Sequence, residues 1–324
     1  MDWSSASHFI IVSAVLTGTS VIGLIALTYF ILYHEIYERN LRFTLHNIAT
    51  SFNTLLFLMG VSLVFIYSTN ILRYYMDPGS LSRKVTVLCQ DLFISTFEIC
   101  YCIFSFKRTS PVVELEAPLL VVQMGRVVRV VPFLFYLQVI PAVIELAIVN
   151  TGAVGYEKSL QLIEYILAAI AAVIVVTLDT VLLTTFIRFL RKTKQDENIK
   201  VDERFLIIVK YGVFVAGCAF TAVGFYSAFA ITIKEGFLVT FLSLMSLIFW
   251  GLLAMKCSLF YEDVRRGILN QSNLERVLGK KELQEIKESS QKRLVSVRIE
   301  KGSLALSPSR ISHNNRSAVS LANG

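Results

Sequence analysis

The sequence predicts an all-α membrane protein, a bundle of seven transmembrane helices with its N-terminus outside and its C-terminus cytosolic. Three observations carry that expectation: composition, the number of long apolar runs, and the placement of lysine and arginine between them. Of 324 residues, 55% are hydrophobic and 17% charged, against roughly 25% charged in soluble domains. A soluble fold of this length would struggle to hide so much apolar surface. Residues 1–260 hold 36 of the 55 charged residues, and the last 64 residues hold the other 19. The chain therefore divides into a membrane body, 1–260, and a polar cytosolic tail, 261–324. The formal charge of +7 does not point to nucleic acid, because each charge has first to be assigned to a side of the bilayer.

A hydrocarbon core about 30 Å thick needs roughly 20 apolar residues at 1.5 Å rise each. Seven such runs occur, approximately Phe9 to Tyr33, Ile48 to Ile71, Val85 to Phe106, Val130 to Val149, Tyr165 to Phe186, Phe205 to Ile233 and Phe237 to Leu259. Leu119 to Met124 is also apolar, and either starts the fourth helix early or lies in the interface. Glycine and proline rarely interrupt the runs, which fits helices rather than the short alternating strands of a barrel. No Lys or Arg precedes the first run, so a retained signal anchor is expected rather than a cleaved signal peptide.

Cytoplasmic flanks carry an excess of Lys and Arg. One alternating set of segments holds five (Arg73, Arg83, Lys84, Lys158, Lys234), and the opposite set holds 26. The richer set includes Arg39 and Arg42, then Lys107, Arg108, Arg126 and Arg129, then the segment around Arg188 to Lys210, and everything from Lys256 onward. That places the N-terminus outside and the tail in the cytosol, the topology of G-protein-coupled receptors, and a multi-pass location in the plasma membrane is expected.

All five cysteines fall in or at the ends of predicted helices, and the loop from Asn150 to Glu164 contains none. No disulfide is expected. Cys257 is open to two readings, a plain helix cysteine or a palmitoylation site beside Lys256. The sequons at Asn270 and Asn315 fall in the cytosolic tail, where they would stay unmodified.

An acid at mid-membrane costs about 2.5–3.5 kcal/mol on insertion scales, so each should face the bundle or a watery cavity. Asp91 and Glu98 lie seven residues apart, on one face of the third helix. Glu145 belongs to the fourth helix, Glu164 to the outer edge of the fifth, and Asp179 lies deeper in the fifth. Asp91, Glu98, Glu145 and Glu164 are thus candidate ligand-binding residues, lining an outward-opening pocket for a cationic or hydrogen-bond-donating ligand. The other reading is structural, with these carboxyls bonded to Ser, Thr or Gln on neighbouring helices, such as Gln138. Pro132 and Pro141 in the fourth helix are the only prolines within the predicted helices, so a kink is expected there.

Other chemistries find no residues. Retinal would need a lysine inside the seventh helix, and Lys256 is expected at its cytosolic end. His8, His34, His46 and His313 lie outside the predicted helix interiors, which leaves an intramembrane zinc hydrolase without ligands. Neither repeated halves nor Gly/Pro-broken helices point to a transporter. No catalytic triad or phosphate loop is visible. No enzyme activity, metal or cofactor is expected.

On the cytosolic side, Arg108 at the end of the third helix and Arg188, Arg191 and Lys192 at the end of the fifth are candidates for G-protein coupling, against the plainer reading of basic flanks on anionic lipid. Beyond the seventh helix, Tyr261 to Leu269 could lie on the membrane as a short helix. Ser272-Asn273-Leu274-Glu275 fits a capping box ahead of an amphipathic helix reaching Lys292. From Ser289 the chain is serine-rich, consistent with disorder and with phosphorylation.

Three stretches resemble nematode serpentine chemoreceptors of the alpha/epsilon superfamily, seven-helix receptors outside the rhodopsin pattern. They are Glu38 to Asn47, with its Asn-Leu pair and histidine opening helix 2; Ser105 to Pro118, where Lys107 stands in place of the family's acid before Arg108; and Gln195-Asp196-Glu197-Asn198, leading toward helix 6. Together they cover 28 of 324 residues. The resemblance implies a chemosensory receptor with a small-molecule ligand and a heterotrimeric G protein as partner. A seven-helix ion channel or solute transporter, using the acidic face of Asp91 and Glu98, is the alternative.

Overall fold

The computed structural model describes residues 3–38, 43–77, 79–148, 157–195, 203–232 and 234–265. Helix α1 spans Trp3–Phe30 and continues as a π-helical stretch, Ile31–Tyr37; α2 is a single turn, Leu45–Ile48. Then follow α3 (Ser51–Tyr75), α4 (Leu81–Glu116), α5 (Pro118–Leu137), α6 (Ile140–Ile148), α7 (Glu157–Gln195), α8 (Glu203–Thr232) and α9 (Glu235–Arg265). No strand occurs among the described residues, and seven helical stretches are long and apolar enough to cross a membrane, α5 and α6 together forming one. The all-helical, seven-span architecture expected from hydropathy is present.

Large apolar side chains point outward as well as inward: Phe133 is 78% and Phe220 69% exposed. Soluble monomers rarely carry such continuous apolar surface; it suits helices that face lipid.

The helices outrun the apolar segments. At 36 residues, α4 is about 54 Å long at 1.5 Å per residue, well beyond the hydrocarbon thickness. It passes Phe106 and contains Pro111, so Pro132 and Pro141 are not the only helix prolines. The third loop shrinks to Ala117, and Arg126 and Arg129 stand on α5. Of the two readings of Leu119 to Met124, the early helix start is correct, with Pro118 at the first helical position, where its missing N–H costs nothing. The expected irregularity falls between α5 and α6: the chain turns at Gln138 and Val139 and re-enters the helix before Pro141, which has no N–H to donate. α9 continues unbroken through Arg265, so Tyr261 does not open a separate helix. His8 and His34 also lie within helical stretches rather than outside them.

Side-chain oxygens start two of the helices: Thr50 accepts from the Asn53 N–H at the head of α3, and Ser80 from the Arg83 N–H at the head of α4. Gly79, at φ +89°, makes the reversal between α3 and α4.

Lipid removes most of the hydrophobic drive between helices, so close packing and polar bonds hold the bundle. A Cβ at Gly60 would come within 2.5 Å of Leu24, and one at Gly23 within 2.7 Å of Phe249, so α1, α3 and α9 meet at glycine. The Tyr67 hydroxyl donates to the Leu242 carbonyl at 2.7 Å, tying α3 to α9, and Asn70 donates to Ser13 at 2.8 Å, tying α3 to α1. At the opposite end of these helices, Lys256 of α9 pairs with Glu35 at 3.0 Å and also bonds Asn53 of α3. Arg204 and Asp263 join α8 to α9 at 2.8 Å.

Residues 266–324 lie outside the described residues, and with them the tail helix, the sequons and the serines. The same holds for Arg39, Arg42, 149–156 and Asp196 to Asn198.

Candidate functional site

A cavity of about 440 Å³ lies among α3, α4, α6, α7, α8 and α9, within the range of small-molecule sites. Its existence follows from small side chains. Ala168 and Ala172, one turn apart on α7, and Ala219 and Ala222, on one face of α8, are buried on its wall and leave the space between the helices unfilled. All four acids expected to bind ligand, Asp91, Glu98, Glu145 and Glu164, line this one cavity.

Their surroundings differ. Near the head of α4, Arg73, Arg83 and Lys84 also line the space. Lys84 pairs with Glu145 at 3.1 Å, and Arg73 leans toward Glu235 at 3.9 Å. Glu235 in turn accepts from the Tyr74 hydroxyl. Glu145 thus has a cationic partner within the protein, a lysine rather than the Ser, Thr or Gln expected of a structural role. Seven residues below Lys84 on the same face comes Asp91, whose Oδ2 is buried and has no hydrogen-bond partner. Its electrostatic neighbours are Glu164 and Glu145, of like sign, and Arg73. Seven residues deeper, Glu98 accepts from Gln138 at 3.3 Å, while Gln138 also donates to Ser95 at 2.6 Å. The Gln138 bond foreseen in the sequence is therefore made to Glu98. One wall is aromatic: Tyr165 meets Phe229 edge-on with centroids 6.4 Å apart, and Tyr226 packs on Phe229 at 6.4 Å and on Phe241 at 5.1 Å.

Beneath the cavity lies a polar cluster that the sequence did not assemble. Tyr101, on the cavity wall, donates to Asp179 Oδ2 at 2.9 Å. Asp179 Oδ1 is 4.0 Å from Arg108 Nη2, with side chains 5% and 4% exposed. Gly212 of α8 leaves room beside that guanidinium, and Met255 of α9 contacts it at 3.8 Å. Arg108 Nε, Asp179 Oδ1 and Ser105 Oγ have no hydrogen-bond partner, so the cluster is underbonded for its burial.

Arg108 therefore lies inside the bundle rather than on a basic rim. Arg188, Arg191 and Lys192 are exposed on the last turns of α7, and the four residues do not form one patch. Sequence reasoning missed Asp179 as a partner of Arg108 because the two are far apart in the chain. The alanine spacing of α7 and α8 was the available signal for the cavity. Among the described residues no three His, Cys, Asp or Glu side chains converge to hold a metal ion. All five cysteines are free thiols.

No protein-family model, curated protein or solved structure matches the chain.

Proposed function

We propose that the chain is a seven-helix receptor of the plasma membrane that couples an extracellular small molecule to a heterotrimeric G protein, in a chemosensory role. The observation that carries this reading is the continuity between cavity and ionic cluster. Tyr101 belongs to both, and Arg108 below it touches residues of α7 and α9 and fills the space beside Gly212 of α8. With the basic excess taken as cytosolic, the cavity opens outward and the cluster faces the cell interior. A ligand that fits the cavity better in one helix arrangement shifts the population toward it, and the Arg108–Asp179 contact is the element that differs between arrangements. The likeness to nematode serpentine receptors supports the chemosensory assignment.

The test is expression of the full chain with a G-protein readout and a panel of small molecules, combined with epitope tags at residues 1 and 324. Agonist-dependent signalling, with the first tag accessible on intact cells and the second only after permeabilisation, is the expected result. Asp179→Asn should raise ligand-independent signalling. Both tags on one side, or no G-protein dependence of any response, overturns the reading.

One observation favours a conduction pathway as the second reading: Lys84, Asp91, Glu98 and Ser105 recur every seven residues along α4, a polar stripe about 30 Å long. Current or uptake altered by Asp91→Asn or Glu98→Gln without G protein would select it.

A further inference from the structure

We propose that the cavity takes an organic ammonium ion, its N–H donors seated between Asp91 and Glu164 and its hydrocarbon part against the wall of Tyr226 and Phe229. This rests on the cavity being the ligand site of the receptor, and it adds the class of ligand.

The charge layout is the first argument. The basic groups stand at the head of α4, and two of them already have acids: Lys84 holds Glu145 at 3.1 Å and Arg73 faces Glu235 at 3.9 Å. About 10 Å further along α4, at 1.5 Å per residue, Asp91 and Glu164 act on each other with like sign, which outweighs the opposite pull of Arg73 on Asp91. A cation between them removes that repulsion and supplies Asp91 Oδ2 with a donor.

The second argument is a missing donor. Asp91 lines the cavity, and its Oδ2, closed to solvent in this helix arrangement, accepts no hydrogen bond. Native proteins rarely leave a buried carboxylate oxygen unbonded, and an ammonium group supplies the donor directly. The deeper acid does not compete on equal terms, because Glu98 is already bonded by Gln138 at 3.3 Å.

The third is the aromatic wall. Tyr165, Phe229, Tyr226 and Phe241 form a chain of ring contacts along one side of the cavity, and ring faces attract cations once water is excluded. A metal cation would find no convergent ligand set among the described residues, whereas an alkylammonium ion carries its own apolar bulk into a space of about 440 Å³.

The experiment uses the full chain in lipid nanodiscs and three probes of similar shape: phenylbutylamine, phenylbutanol and phenylbutanoate. Binding is followed by ligand-observed NMR and by thermal shift. Phenylbutylamine is expected to bind more tightly than the alcohol or the acid. Asp91→Asn should weaken the amine by roughly tenfold or more and leave the alcohol unchanged. Glu164→Gln gives a second variant with the same expectation, should Asp91→Asn not fold. Equal binding of amine and alcohol, preference for the carboxylate, or an amine affinity unchanged in both folded variants overturns the proposal. The assay needs no signalling partner: amine binding without any G-protein response defeats the receptor reading and leaves this inference standing. Signalling by other molecules with no amine binding does the reverse.

Discussion

Arg108 Nη2 stands 4.0 Å from Asp179 Oδ1 across the α4–α7 boundary, with both side chains almost fully buried. The contact is an ion pair without an ideal hydrogen bond, since Asp179 Oδ1 and Arg108 Nε remain unbonded and the other carboxylate oxygen is taken by Tyr101. Such a pair is held by its surroundings as much as by mutual attraction, because moving two charges out of water costs as much as their Coulomb energy returns.

Removing one partner should therefore cost more than removing both. Asp179→Asn and Arg108→Met are each expected to destabilise the folded protein by about 3 kcal/mol. The double variant should lose clearly less than either single variant. Denaturant titration of purified protein measures all three, and strictly additive losses would show that the two side chains do not interact.

At Gly60 a Cβ would press on Leu24 Cδ2 and Cγ at 2.5 and 2.9 Å, whereas nothing lies within 4 Å of a Cβ at Gly18. Gly60→Leu should separate α1 from α3 and deplete the monodisperse peak in size-exclusion chromatography, while Gly18→Leu should leave it intact. Equal yields of the two variants would contradict the close helix approach.

Adjacent alanines on α7 separate free volume from packed volume. Ala172 lines the cavity, and Ala171, 2% exposed, does not. Ala172→Leu is expected to keep or raise the melting temperature, and Ala171→Leu to lower stability by about 1–3 kcal/mol through overpacking. The reverse order would mean that the space beside Ala172 is filled.

Lys256 links α9 to Glu35 and Asn53 with side-chain exposures of 12% for Lys256 and 22% for Glu35. Partial exposure places the cost of Lys256→Met on the order of 1–3 kcal/mol, between surface and buried pairs. Adding Glu35→Gln should recover part of it. Thermal unfolding of the single and double variants checks this, and no recovery would assign the loss to packing of the lysine stem.

Hydropathy alone yields the seven spans, because each segment must bury its own backbone polar groups in lipid wherever its neighbours lie. Local rules extend as far as Pro141, whose missing N–H matches the observed turn before it, and Pro118 at a helix start. Helix ends escaped, since α4 runs to Glu116 past residues polar enough to look like a loop; once outside the hydrocarbon, a helix no longer needs apolar side chains to persist.

For the site, the sequence placed Asp91 and Glu98 on one face of one helix and Glu164 at the outer edge of another, because membrane thickness and helical rise turn residue number into height. Azimuth was decided only by tertiary packing. It joined Glu145 to Lys84 and left Asp91 Oδ2 unbonded. It also drew Arg108 inward to Asp179, since which way a helix faces depends on the shapes of its neighbours, and those contacts span stretches of chain that share no local pattern.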